Sequence, residues 1–265
     1  MPKLTLGLVG LGNIGSYLVR GIGEHNLPYD LSFINDIDPQ RVAAFQRAFP
    51  QPSAQAVDLD TLAARSEVIV EAATASVVPP LAEKALLAAE QVKATKYLFT
   101  MSVGGLLDLA SDFISRLSGS YLKLIAPSGA IGGLDALSAM ALAGVHQITL
   151  TTRKPPHSLG KDNTEPELVY SGRPDAIYKE FPANINVAIT LALATVGLER
   201  LQLRLVSDPG VQSNIHEIEA VGAAGHFKFT LENVPSPANP KTSYLAALSI
   251  ISALKRFSQN LLVGY

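Results

Sequence analysis

The chain has 265 residues, with 21 Lys+Arg against 23 Asp+Glu for a net charge of −2, and 48% of its residues are apolar. That length holds one large domain or two smaller ones, and the charge balance offers no basic surface to neutralise a run of phosphates, which argues against nucleic acid as a partner. The absence of cysteine removes disulfides, thiolate nucleophiles, Cys-ligated zinc and iron–sulfur clusters, leaving carboxylates, five His and backbone amides to do chemistry.

In chain order, the first half alternates short apolar runs with segments of helical period, the pattern of parallel strands joined by crossover helices. Strands are expected at Leu4–Gly10, Leu31–Asn35, Glu67–Ala72, Tyr97–Val103 and Leu122–Ala126, with helices at Ile14–His25, Pro39–Phe49, Val77–Glu90 and Leu106–Leu117. Ile14, Leu18 and Ile22 recur at four-residue spacing, enough to cover one face of a sheet. Beyond about residue 126 the strand-like segments alternate cleanly. Phe227, Phe229 and Leu231 interleave with Lys228, Thr230 and Glu232, and Leu201, Leu203 and Leu205 interleave with Gln202 and Arg204, which predicts an antiparallel sheet with one wet face. Helices at Gly133–Gly144 and Ile185–Val196 are expected over its other face, and Pro155–Glu167 reads as a polar surface loop. A last helix is expected to start near Asn239, with Asn239 as N-cap and Pro240 at the first position, and to run through Leu245, Leu248, Ile251 and Leu254.

The uncharged stretch Ala183–Leu198 is too short to span a bilayer and carries Asn184 and Asn186. Gly10, Gly12 and Gly15 interrupt the N-terminal apolar run, so a secretory signal is not expected and a soluble, cytoplasmic protein is.

Gly10-Leu11-Gly12-Asn13-Ile14-Gly15 follows a strand and opens a helix. The first Gly permits the tight turn, the second lets backbone approach a pyrophosphate, and the third allows close helix–strand packing. The helix N-terminus then offers free N–H groups to the phosphates. Asp36, at the end of the second strand, is placed to accept from the adenosine ribose hydroxyls, which favours NAD over NADP; Arg41, five residues on, is within swing of a 2′-phosphate. The first half therefore reads as a Rossmann, doubly wound α/β sheet that binds a dinucleotide through Gly10, Gly12, Asn13, Ile14, Gly15 and Asp36. No His pair has metal-ligand spacing, and no metal is expected.

Ala126-Pro-Ser-Gly-Ala-Ile-Gly-Gly-Leu-Asp135, Phe181-Pro-Ala-Asn-Ile-Asn-Val187, Asn214-Ile-His-Glu-Ile218 and Asn239-Pro-Lys-Thr-Ser243 resemble, in order and spacing, the L-aspartate dehydrogenase family over essentially the whole chain. The resemblance implies NAD(P)-dependent oxidation of L-aspartate to iminoaspartate, which hydrolyses to oxaloacetate and ammonia or passes to quinolinate synthase and so to NAD synthesis. It implies an active-site role for His216 and cofactor contacts at Ala130 and Asn186.

Read without the family, an imidazole near neutral pKa serves both proton steps of amine oxidation. Alternation in its strand groups His216 with Asn214, Ile218 and Ala220, and turns Glu217 and Glu219 to the other face; by itself a strand His also fits a purely structural role. His25, His146, His157 and His226 lack such support. The expected helix start near Asn239 offers backbone N–H groups with Lys241, Thr242 and Ser243 to a substrate carboxylate, or is a plain capping turn. Ser128 and Gly129, after the fifth strand, are expected near the nicotinamide or substrate, the alternative being a simple turn. Arg153 and Lys154 are read as following a strand and are alternative partners for a substrate carboxylate, but paired cations at a strand end are usually solvated, and they are left out of the site.

The expected organisation is a nucleotide-binding domain over 1–125, open to completion by the C-terminal helix within 240–265, and a catalytic and dimerisation α/β domain over 126–239 with a mainly antiparallel, one-face-open sheet, the active site lying between the two. The apolar face of that sheet suggests a homodimer. Other readings of the same architecture are a homoserine dehydrogenase-like or dihydrodipicolinate reductase-like enzyme, and a non-catalytic NAD-binding protein.

Overall fold

A computed structural model describes residues 2–50, 54–181, 185–237 and 239–264, apart from the side chains of Pro240 and Lys241. It divides into two compact units, residues 1–127 with 250–260 and residues 128–249 with 261–265.

In the first unit, β1 (Leu4–Val9), α1 (Asn13–Glu24), β2 (Tyr29–Asn35), α2 (Pro39–Ala48), β3 (Gln55–Ala56), α3 (Leu59–Arg65), β4 (Val68–Glu71), α4 (Val78–Val92), β5 (Lys96–Thr100), α5 (Phe113–Ser118) and β6 (Leu122–Ile125) follow one another. The six strands pair in parallel in the order β3-β2-β1-β4-β5-β6. β1 and β4 lie centrally, which is why Leu6, Leu8 and Val68–Val70 read as unbroken apolar runs: both faces are covered. On one face Leu6 and Leu8 pack with Leu18, Val19 and Phe45, and on the other Val9 and Ile69 pack with Leu62, Leu81 and Ala85. Helix α3, which the sequence reading missed, is announced by Asp58, whose side chain caps Thr61 N–H at 2.7 Å. The region expected to be helical at Leu106–Leu117 is instead a 3-10 turn over Val103–Asp108 followed by the short α5.

The second unit runs α6 (Leu134–Ala143), β7 (Val145–Lys154), β8 (Glu167–Gly172), α7 (Asn186–Ala194), β9 (Leu201–Ser207), β10 (Ile215–Gly222), β11 (Gly225–Glu232), β12 (Pro235–Ser236), β13 (Asn239–Ser243) and the start of α8 (Tyr244–Phe257), whose residues from Ile250 onward belong to the first unit. Its main sheet has the order β11-β10-β7-β9-β8, antiparallel except for the β7–β9 pair. Ile148, Leu150, Leu201, Leu203, Leu205, Ile218 and Ala220 are buried on one face, against which α6 and α7 pack. Gln202, Arg204, Glu219, Lys228, Thr230 and Glu232 lie exposed on the other. The open face is thus the polar one; the apolar face is closed within the chain and is not the surface a two-fold partner would cover. Strand β8 begins where the polar loop was expected to end.

The expected helix start at Asn239 is corrected. Residues Asn239–Ser243 form β13, which pairs with β12, and the helix begins at Tyr244, whose N–H donates to Val234 O at 2.9 Å. The expected apolar stripe holds only in its second half: Ile251 and Leu254 are buried with Ile250 in the core of the first unit, whereas Leu245 and Leu248 are exposed, and the Tyr29 hydroxyl donates to Leu254 O at 2.8 Å. Among the described residues no helix is long and apolar enough to cross a membrane.

Candidate active site

The glycine loop lies where β1 turns into α1. Gly10 sits at φ +92°, and a side chain there would come within 2.6 Å of the Ala72 and Ala73 backbone. That backbone is itself fixed. The buried carboxylate of Glu71 accepts from Ala73 N–H at 2.8 Å, from Met101 and Ser102 N–H, and from the Thr100 and Ser102 hydroxyls, tying the ends of β4 and β5 into one wall. A side chain at Gly15 would run into the Gly10 carbonyl, whereas one at Gly12 would meet nothing within 4 Å. The first and third glycines are therefore required by packing, and the second leaves open room at the N-terminus of α1, whose first turn has neither a side-chain cap nor an acidic residue. Asn13 and Ile14 begin that helix, Ile14 packing against the core.

Asp36 follows β2 and closes over the loop: Oδ2 accepts from Leu11 N–H at 2.9 Å and Oδ1 from Asp38 N–H at 3.0 Å. Arg41 lies against Asp38 at 3.5 Å on the surface. Uncapped amides, a clear approach at Gly12 and an oriented carboxylate fit a dinucleotide whose diphosphate rests on α1 and whose ribose faces Asp36.

In the second unit the alternation read along β10 is observed. His216 is 3% exposed and shares the buried face with Ile218 and Ala220, while Glu217 and Glu219 point the other way. Its Nδ1 lies 3.0 Å from Thr152 Oγ1, the residue opposite it on β7. Burial, and then the positive charge of Lys154, push the imidazole down to about 3, so it stands neutral at physiological pH. Gly132 and Gly133 pack on Leu231 and Phe229, which pair across the hairpin with His216 and Ile218. The turn from Ser128 therefore lies over the face that carries His216. Gly129 takes φ +64° there, and Ser128 O accepts from Ile131 N–H at 3.4 Å.

The remaining expected residues divide. Ala130 O accepts from Asn233 Nδ2 at 3.1 Å, and Asn233 Oδ1 accepts from the Ser243 hydroxyl at 2.8 Å, a buried bridge that joins two of the segments singled out in the sequence. Thr242 and Ser243 line an open groove with Asn214, Asn233, His157 and Ser158. They do so from a strand, so the helix N-terminus proposed for a substrate carboxylate is not at Lys241–Ser243; the Lys241 side chain lies outside the described residues. Asn186 opens α7, on a different element, and Pro182–Asn184 of its motif also lie outside the described residues.

Two functional residues escape the sequence reading, and a third is weighed there and set aside. Asn233 and Thr152 carry no local signal, since each acquires its role from a partner far along the chain. Lys154 does carry one: β7 extends through it, so alternation separates it from Arg153. Arg153 turns to the open face and pairs with Glu217 at 2.9 Å and Asp208 at 3.2 Å, whereas Lys154 is buried with Thr152.

Residues 135–257 match the family described as aspartate dehydrogenase, C-terminal, and residues 5–98 match that described as NADP oxidoreductase, coenzyme F420-dependent. An L-aspartate dehydrogenase of Methanocella arvoryzae is 37% identical over 98% of both chains, and L-aspartate dehydrogenase 3 of Bordetella bronchiseptica is 36% identical over 99% of this chain and 98% of its own. The chain belongs to the L-aspartate dehydrogenase family. The crystal structure of aspartate dehydrogenase from Thermotoga maritima superposes with a TM-score of 0.80 at 28% identity, covering 98% of this chain and 99% of that one. Membership makes this chain an amino-acid dehydrogenase, and the family's pyridine-nucleotide-binding fold agrees with the glycine loop and Asp36 described above.

Proposed function

We propose that this member of the family oxidises L-aspartate to iminoaspartate, with His216 as acid and base and with the loop from Gly10 to Gly15 holding NAD in preference to NADP. A bound pyridine nucleotide would supply the hydride acceptor. The protein supplies the rest. Gly12 and the α1 amides receive the diphosphate, and the fixed Asp36 carboxylate accepts from ribose hydroxyls and repels a 2′-phosphate. With Nδ1 engaged by Thr152, Nε2 is the nitrogen of His216 left to take a proton from the substrate ammonium, a step that requires bound substrate to raise the imidazole from the value of about 3 that burial gives it, well below the near-neutral value expected from the sequence. The Ser128–Ala130 turn and the Asn186 end of α7 stand as nucleotide and substrate contacts, and Thr242 and Ser243 as groove residues on the substrate side. Asn233 supports them by holding Ala130 and Ser243 in one hydrogen-bonded bridge.

The observation that carries this reading is the buried, Thr152-bonded His216 on the face covered by the Ser128–Gly133 turn. The reading includes release of an imine that either hydrolyses to oxaloacetate and ammonia or is consumed by quinolinate synthase, and a homodimer, checked by light-scattering mass. The central test is formation of reduced cofactor from L-aspartate with NAD and with NADP, in wild type and in His216→Ala, with homoserine as control. Turnover with NAD should exceed that with NADP, and the variant should lose roughly 10²–10⁴-fold in kcat. Oxidation of homoserine at the aspartate rate, or an unaffected variant, removes the reading.

A further inference from the structure

The least explained charge in the second unit is Lys154. It is 6% exposed, at the last position of β7, on the same face as Thr152, and the residue opposite it on β9 is Ser207, an uncharged side chain whose hydroxyl donates to Asn163 Oδ1 at 2.5 Å. Among the described residues no carboxylate pairs with its ammonium. The nearby acids are on the reverse face, where Arg153 takes both Asp208 and Glu217. An ammonium buried without a counter-ion costs stability, and its desolvation is enough to bring Lys154 down to about 8. Natural folds retain such costs where function uses them.

We propose that Lys154 is the residue that receives a substrate carboxylate beside His216. This rests on the reading above for the substrate's identity and goes beyond it in naming the counter-charge. The placement accounts for three observations together: a cation kept on the otherwise apolar and hydroxylic face, anions kept off that face, and a groove that begins at Pro155, the next residue along, with the uncharged polar side chains Asn214, Asn233, Thr242 and Ser243 in its lining. A carboxylate arriving there completes a charge-assisted hydrogen bond that the folded chain leaves unmade. It also neutralises Lys154, the smaller cause after burial of the low His216 value, and so raises the imidazole.

Succinate, a dicarboxylate with no amine to oxidise, separates binding from chemistry. Its dissociation constant is measured by calorimetry on the wild-type chain with NAD present and on Lys154→Met and Lys154→Gln, alongside KM and kcat for aspartate and the thermal midpoint of each. The expected result is a loss of succinate affinity of roughly thirtyfold or more, the scale of truncating one partner of a buried charge pair. KM for aspartate should rise correspondingly and more than kcat falls, and melting should stay at or above wild type because an unpaired buried charge has been removed. Succinate affinity within threefold of wild type overturns the proposal, as does a large drop in melting temperature in both variants, which marks the ammonium as structural. Lys154-dependent succinate binding in a chain that does not oxidise aspartate sustains Lys154 as the carboxylate site and refutes the aspartate activity. Aspartate oxidation undisturbed in both variants does the reverse.

Discussion

The glycine loop of the first unit and the His216 face of the second solve opposite problems. The first is built from what is missing: no side chain at Gly12, no side-chain cap on α1, and glycines at 10 and 15 because backbone occupies the space a side chain would need. The second is built from what is present, a set of polar groups held by one another, Thr152 to His216 and Asn233 to Ala130 and Ser243. A site made of backbone is intolerant of added atoms, and a site made of buried polar groups is sensitive to protons and partners. Each kind should therefore fail in its own way.

The largest expected effect tests the first kind. Gly15→Val drives a branched side chain into the Gly10 carbonyl, at a helix–strand crossing where the backbone cannot yield, and should cost about 3 kcal/mol or more and abolish cooperative melting near the wild-type midpoint. Gly12→Ala adds a methyl into open space, so its melting should match wild type while the affinity for reduced nucleotide, read by fluorescence, falls at least several-fold. If Gly12→Ala melts early, or binds nucleotide as wild type does, the separation between packing glycines and the approach glycine is wrong.

The second kind should show itself in pH. An imidazole in the unfolded chain takes up a proton near 6.5, but folded His216 does not until about 3. Between those values the unfolded chain binds the extra proton, so protons favour unfolding. The contribution is whole above about pH 6.5 and is lost progressively as pH falls toward 3, with a slope of at most about 1.4 kcal/mol per pH unit. His216→Gln should flatten the stability profile across that window in urea titrations while leaving its neutral-pH value little changed. An identical slope in wild type and variant means that the imidazole is not kept neutral by the fold.

How much of this was legible follows from the same division. The loop from Gly10 to Gly15 and Asp36 is local, a strand, a turn and a helix with one carboxylate after the next strand, so the spacing alone carries it. The faces of β10 were legible too, because alternation is a property of one strand. The bridge through Asn233 was not, since Ala130, Asn233 and Ser243 meet only when three distant segments assemble. Asn239-Pro240 is a sound helix-start signal that tertiary pairing overrides: β12 recruits Asn239–Ser243 as a strand partner, and Tyr244 N–H is already committed to Val234. Lys154 was misread for a simpler reason. β7 runs through Lys154, so the two consecutive cations lie on opposite faces of the strand instead of forming a solvated pair beyond its end.

That pair gives the smallest expected effect and the sharpest comparison, because Arg153 and Lys154 are adjacent, both cationic, and differ only in which way the pleat turns them. Arg153 is a third exposed and bridges Glu217 and Asp208 on the open face, where solvent and salt screen the pair. Arg153→Gln should therefore lower stability by about 1 kcal/mol, the loss shrinking further in added salt, because Glu217 is hydrated when released and the more buried Asp208 keeps its hydrogen bond from Gly210 N–H. Succinate affinity and KM for aspartate should stay within twofold of wild type. Lys154→Met, one residue on, should do the opposite in both respects, holding or raising stability while losing the ligand. If Arg153→Gln weakens succinate as much as the Lys154 variants do, the effect is one of net positive charge at this end of the sheet, and the assignment of the carboxylate to a single face fails.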